Sequence, residues 1–408
     1  MAEPDGFLTD VVKTTGKWPL PPSWWSYSAL KEVEQCPRRW MLRRASYPDI
    51  WTKRGYPELP TLPALVGDVI HRALELVIDA LARRGCETAN APCAVQTMQE
   101  LGGYTAVVSS AAESRLAVLE GNPRVQARVA TLRQALDQRR PDMRRRVQAV
   151  ISMTEMRPID SEAVSADHVP GARVPLADGS HTEVELRAPV LGWMGRADLL
   201  TVLPTGCEIT DYKTGSPDND YVEQLQTYAL LWSRDSDLNP SAQLASHLVL
   251  RFPSGDQVVP TPDAGKLRSI ENDLTDRTTR AELELRKRPP AARPAVETCK
   301  GCSVRHLCSE YWGFLDHGGA AIDHQGEGQF GDVELKVIER HGARSWQVQV
   351  VHGSQALGAV VLRTPSESVT FDIGSHQRIL NAALGVDDDS NSPILTMTSA
   401  SEAFELTI

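Results

Sequence analysis

No run of about 18 apolar residues occurs anywhere in the 408-residue chain, which argues against a membrane-spanning helix. The opening Met1-Ala-Glu-Pro-Asp-Gly6 has neither the basic stretch nor the apolar core of a secretory leader, so a cytoplasmic protein is expected. A surplus of positive charge is missing too. The formal net charge of −10 speaks against a protein that coats nucleic acid nonspecifically. There is no Gly-x-x-x-x-Gly-Lys-Ser/Thr phosphate loop, which excludes a motor built on one, and no internal repeat. Cysteine is sparse. Seven thiols, an odd number without a leader, favour metal ligands over a disulfide framework.

What is present is ordinary in bulk: 41% hydrophobic and 24% charged residues, enough chain for one large core and a small second domain. Residues 1–22 read as an arm ending in the turn-prone Pro19-Leu20-Pro21-Pro22. A helix is expected next, with Ser28 as N-cap and Glu32 in its first turn, followed by Cys36-Pro37 and a loop over 46–63. Apolar positions from Val66 to Leu81 fit a helical period, and the region from about 95 to 150 is also helical, interrupted at Pro141. Strands are expected over 182–187, 198–203, 207–212 and 248–252, with helices at about 220–233 and 263–288. Residues 318–330 read as a linker. Residues 331–408 read as a small β domain whose ten acidic and five basic residues suit a partner contact better than DNA. Arg124, Arg128, Arg133, Arg139, Arg140, Arg144, Arg145 and Arg146 form a basic stretch that is either a solvated helix face or a DNA-tracking surface.

Two constellations carry chemistry. The first is acidic. Asp198 and Asp211 lie on successive expected strands with Pro204-Thr-Gly206 as the turn, so a hairpin brings both carboxylates to one end of a sheet. Asp211 and Lys213 are two apart and share a strand face, with Tyr212 on the other. Two carboxylates can hold a hard divalent ion, and a lysine beside them can orient water or offset developing charge. His71, four residues after Gly67 on one helix face, can add an imidazole, although a lone histidine on an apolar helix is more often structural. Gln224 and Tyr228, four apart on the following helix, can both face the site and contact DNA or the lysine. The second constellation is soft: Cys36 alone, then Cys299, Cys302 and Cys308 some 263 positions later. Four thiolates suit a [4Fe–4S] cluster, a [2Fe–2S] cluster or zinc. Cys86, Cys93 and Cys207 read as ordinary thiols.

In order, Gly67-x-x-x-His71, Gly195-x-x-Asp198, Asp211-x-Lys213 and Gln224-x-x-x-Tyr228 resemble the successive motifs of RecB-type members of the PD-(D/E)XK nuclease superfamily. Ser26-Tyr-Ser-Ala-Leu30 with Cys36-Pro37 and Trp40 is similar to that family's N-terminal helix, and the four cysteines narrow the likeness to its iron–sulfur branch. That branch includes the AddB nuclease domain and the CRISPR-associated RecB-like exonucleases. The resemblance spans about residues 23–315, with no motif in 85–180, and departs from the pattern at Ala197, where the namesake proline would stand. Asp211 also replaces the glutamate of many relatives.

The resemblance implies an α/β fold, a restriction-endonuclease-like mixed sheet flanked by helices, as a nuclease domain over 23–317 with a helical insertion at about 85–150. It implies His71, Asp198, Asp211 and the Tyr212 carbonyl as ligands of Mg²⁺ or Mn²⁺, and a catalytic Lys213. It implies an iron–sulfur cluster on Cys36, Cys299, Cys302 and Cys308 that staples the N-terminal helix to the segment after the sheet. The expected activity is cleavage of DNA ends or single strands, with unwinding supplied by a helicase or defence-complex protein. A noncatalytic DNA-binding scaffold on the same fold, or an RNA-directed nuclease, are the competing readings.

Overall fold

The computed structural model describes residues 18–159, 173–317, 323–325, 328–353, 358–387 and 392–406. Most of the expected arm (1–17), and residues 318–322 and 326–327 of the expected linker, lie outside them.

Two short helices open the fold, α1 (Tyr27–Gln35) and α2 (Pro37–Arg44). The cap of α1 is Ser26, whose hydroxyl accepts from Ala29 N at 3.2 Å, not the expected Ser28, which sits inside the first turn. Cys36 joins the helices and caps α2: its sulfur accepts from Arg39 N at 3.4 Å, and Pro37 fills the first helical position where no N–H is needed. The long α3 (Leu62–Arg83) buries the apolar stripe expected from its periodicity. Packed on it are α4 (Pro92–Glu100), α5 (Gly103–Leu119) and α6 (Val129–Met153). Pro141 does not break α6. It forfeits one backbone hydrogen bond, but Leu136, Met143, Val147 and Ile151 stay buried on both sides of it, and packing holds the helix together. Cys86 and Cys93, expected as free thiols, are bonded to each other where the chain turns from α3 into α4.

The central sheet follows: β1 (Gly179–Ala188), β2 (Trp193–Leu203) and β3 (Gly206–Tyr212), then α7 (Asn219–Arg234), β4 (Ala245–Phe252) and β5 (Gly255–Val259). Its order is β1-β2-β3-β4-β5, antiparallel except for the parallel pair β3–β4. That pair needs a crossover, and α7 supplies it. The expected mixed sheet flanked by helices is therefore present. One hydrophobic cluster sits under α7 and α8 (Ala264–Arg286), another under α3, α5 and α6. Strand β5 has no counterpart among the expected elements. Its alternation is weak, since Asp256, Gln257 and Val258 are all exposed on an edge strand.

After α8 come α9 (Val296–Lys300) and α10 (Ser309–Asp316), then β6 (Asp323–Gln325), β7 (Gly328–Gly342), β8 (Ser345–His352), β9 (Ala359–Arg363), β10 (His376–Val386), β11 (Pro393–Thr396) and β12 (Glu402–Leu406). The expected C-terminal β part is present, and residues 323–325 and 328–330 of the expected linker pair within it as strand. Pairings β7–β8, β8–β9, β9–β11, β11–β10 and β10–β7 close a barrel. Val333, Leu335 and Val337 of β7, two apart and so on one strand face, fill it together with Val348, Leu362 and Ile379. The barrel is not loosely tethered. Its Leu380 and Phe404 share a cluster with Leu42, Tyr56, Val304 and Trp312 of the preceding part of the chain.

Candidate functional site

The acidic constellation gathers at one end of the β2–β3 hairpin. Leu199 faces Thr210 across it, so Asp198 and Asp211 flank one paired position. Asp198 is fixed by the backbone: its Oδ2 accepts the Tyr212 N–H at 2.6 Å. Asp211 is almost fully buried, and its Oδ2 is ion-paired with the Lys213 ammonium. Burial and the nearby Asp198 charge push the Asp211 carboxyl above the usual carboxylate range, against the pull of Lys213.

His71 reaches the same acids from α3, with Nδ1 3.5 Å from Asp198 Oδ2. Burial disfavours its charged form, but contact with Asp198 and the charges of Asp198 and Asp211 outweigh burial and hold its pKa up. Gly67, one turn earlier, lets α3 lie close to the chain beyond Lys213: a Cβ there would stand 3.3 Å from Thr214 Oγ1.

From the α7 side, Lys213 Nζ donates to Gln224 Oε1 at 2.8 Å, and Gln224 Nε2 donates to the Tyr228 hydroxyl at 3.0 Å. Burial, with Asp211 and Asp198 nearby, raises the pKa of Tyr228 and keeps its hydroxyl protonated. Gly195 is where α7 meets β2. A Cβ there would fall 2.7 Å from Tyr228 Cε1. The structure thus brings His71, Asp198, Asp211, Lys213, Gln224 and Tyr228 together. Tyr212 contributes its N–H to Asp198 and buries its ring under α3.

Two neighbours escaped the sequence reading. Tyr221 lies with its ring centroid 4.4 Å from Lys213 Nζ, and its spacing to Gln224 and Tyr228 places all three on one helix face. Glu183 sits on β1 between the paired positions Thr182–Leu199 and Val184–Ala197, hence opposite Asp198. Its φ of 52° is left-handed, which a non-glycine residue adopts at a cost. Burial, then the charges of Asp198 and Glu75, push its carboxyl upward. No sequence signal marks a strained strand residue.

The four cysteines also converge. Cys36, Cys299, Cys302 and Cys308 line one cleft of about 330 Å³, open solvent included, together with Arg39 and Arg305. Cys36 and Cys308 stand at the N-termini of α2 and α10. Burial pushes three of the thiols up, Cys299, Cys302 to about 11 and Cys308 to about 12. Arg38 closes the same seam by a bidentate pair with Glu310, at 2.8 and 2.7 Å, and by Nε to Pro290 O at 2.8 Å. Among the described residues, no group of three or more His, Cys, Asp or Glu side chains stands as a set that could hold a metal ion.

The basic stretch divides. Arg124 is buried against Glu402, and Arg128 donates to Ser401 O at 2.8 Å. Arg133, Arg140, Arg145 and Arg146 pair with Glu113, Asp137 and Asp142. It is therefore in large part an internally paired surface.

Residues 24–309, well over half of the chain, match the family described as the PD-(D/E)XK nuclease superfamily. The chain belongs to that superfamily. The match takes in both the acidic site and the four cysteines of this PD-(D/E)XK protein. No curated protein matches it. Among solved structures, the tetrameric p202 HIN2 shows 22% identity over 20% of this chain and 44% of its own, with a TM-score of 0.17. The SSO0001 structure shows 22% identity over 32% of this chain and 60% of its own, with a TM-score of 0.21. The chain thus spans less than two thirds of either. Likeness at that level carries no argument about this superfamily member. Among the described residues, no helix is long and apolar enough to cross a membrane.

Proposed function

We propose that this chain is a Mg²⁺- or Mn²⁺-dependent DNA nuclease acting on ends or single strands, with a structural iron–sulfur cluster. The observation that carries the reading is the convergence of His71, Asp198, Asp211 and Lys213 at one end of the sheet. Two carboxylates, Asp198 and Asp211, with the His71 imidazole beside them are a donor set of the kind a hard divalent ion takes. A divalent ion there supplies charge stabilisation and a more acidic water.

The chain's own groups do the positioning. Asp198 and Asp211 offer oxygen donors, with His71 beside them, and the Tyr212 N–H fixes Asp198. Gln224 holds the Lys213 ammonium at 2.8 Å, where it orients water or offsets charge on the phosphate. Tyr228, through Gln224, and Tyr221, through its ring, hold that lysine in place.

Cys36, Cys299, Cys302 and Cys308 fit an iron–sulfur cluster as four thiols around one cleft, and a cluster there would tie α2 to the segment after α8. In this reading a separate helicase or defence-complex protein supplies the unwound DNA.

The test is cleavage of end-labelled single- and double-stranded DNA and RNA by anaerobically purified protein with Mg²⁺ or Mn²⁺, beside Asp211→Ala, with an absorption spectrum of the same sample. Cutting of DNA that needs the ion and disappears in the variant, in a protein with the broad visible absorbance of a cluster, is the expected result. A cluster-loaded protein that binds DNA without cutting it would overturn the enzyme reading in favour of a scaffold.

A further inference from the structure

Five residues separate Cys302 from Cys308, and the C-terminal barrel holds two of them directly and a third through Arg124. Arg305 Nε meets Asp332 Oδ2 of β7 at 2.5 Å, and its Nη2 donates to Asn381 Oδ1 of β10 at 3.1 Å. Asp332 in turn accepts from Tyr311 OH at 2.8 Å and from Asn381 N at 2.8 Å, so its carboxylate is fully engaged. His306, wholly buried, stacks on Phe404 of β12 with ring centroids 3.7 Å apart and planes 13° from parallel. The Ser303 carbonyl accepts from Arg124 at 2.8 Å, and Arg124 is itself locked to Glu402 of β12. Strands β7, β10 and β12 thus fix the strap that links two of the four thiols.

We propose that the C-terminal barrel is the holdfast of the four-cysteine site, with Asp332 and Phe404 as the residues that position Cys302 and Cys308. This rests on the reading of those thiols as cluster ligands. A short strap between two ligands is costly to order when a cluster binds, and a strap already ordered avoids that cost. The barrel supplies the order: a buried carboxylate for Arg305 and an aromatic face for His306. The acidic barrel thereby gains a role on a nuclease fold that needs no contact with DNA.

The experiment uses the full chain in reduced, cluster-free form. The alkylation rate of each thiol is followed by peptide mass spectrometry in the wild type, Asp332→Asn and Phe404→Ala, and iron content is measured after anaerobic reconstitution. Cys207, buried in β3, reports on the nuclease core. The expected result is alkylation of Cys302 and Cys308 faster by about tenfold or more in both variants, with Cys207 still protected and less iron retained. Rates within about twofold of the wild type, with Cys207 protected, would overturn the proposal. If Asp332→Asn also exposes Cys207, the Phe404→Ala rates decide. A wild-type protein that takes up no iron would sink the cluster reading, while the thiol rates still judge the holdfast.

Discussion

The carboxylate of Asp198, on β2, is held by the backbone N–H of Tyr212, on β3, at 2.6 Å. Tyr212 directly follows Asp211, so the strand that carries one acid orients the other. The pair is set by backbone register, which leaves little freedom for either side chain to drift.

Replacing either acid should therefore affect chemistry more than folding. Asp198→Asn and Asp211→Asn are each expected to lower the cleavage rate by about 10²-fold or more, with DNA affinity largely kept. Single-turnover cleavage beside a binding titration separates the two. Equal losses in both would place the acids in DNA binding instead.

Gly195→Ala tests the contact between β2 and α7. The new methyl would lie 2.7 Å from the Tyr228 ring and 3.0 Å from Leu231 Cδ1, both tightly packed. Overpacking of this kind costs about 1–3 kcal/mol. A lower Tm and a disturbed Lys213–Gln224–Tyr228 chain are expected, so thermal melts and kcat should fall together. An unchanged melt would mean that α7 yields easily.

The pH dependence of stability should expose Asp211. Its folded pKa is raised to about 6, above the ordinary carboxylate value, chiefly by burial and by Asp198. A raised carboxyl favours the fold while neutral, so its contribution is whole below the unfolded pKa and is lost as pH rises through about 6. In metal-free protein, the Tm advantage of Asp211→Asn over the wild type should thus grow between about pH 5 and about pH 8. Added Mn²⁺ should reverse the order, because only the ionised acid is a good ligand. Melts of both proteins at the two pH values, with and without the ion, check this.

Glu183→Gly should stabilise the metal-free protein. Its φ of 52° is strained for glutamate and free for glycine, and its carboxyl lies near other acids. A gain of about 1 kcal/mol is expected. Chemical denaturation measures it, and a loss of stability would show that the Arg196 contact at 3.8 Å outweighs the strain.

The linear pattern was most legible where one element carries both members of a pair. Gln224 and Tyr228 on α7, or Asp211 and Lys213 at the end of β3, need only the helical or strand period to be placed on one side. Pro141 and Ser28 misled because local preference lost to packing in one case and to a better-placed cap, Ser26, in the other. Tyr221 was legible in principle, at the right helical spacing, but only its contact with Lys213 gives it weight.

By itself the sequence determined the order of the motifs, the helical and strand periods, and the two sets of chemistry-bearing side chains, one of carboxylates and one of thiols. Those depend on residue identity and short spacing. Tertiary structure alone decided what lies across a strand or between distant segments. It set Glu183 opposite Asp198, turned Arg124 from a surface cation into a buried partner of Glu402, and laid the barrel on the cysteine strap. These contacts join residues up to 278 positions apart, as Arg124 and Glu402 are, and no local pattern encodes such a distance.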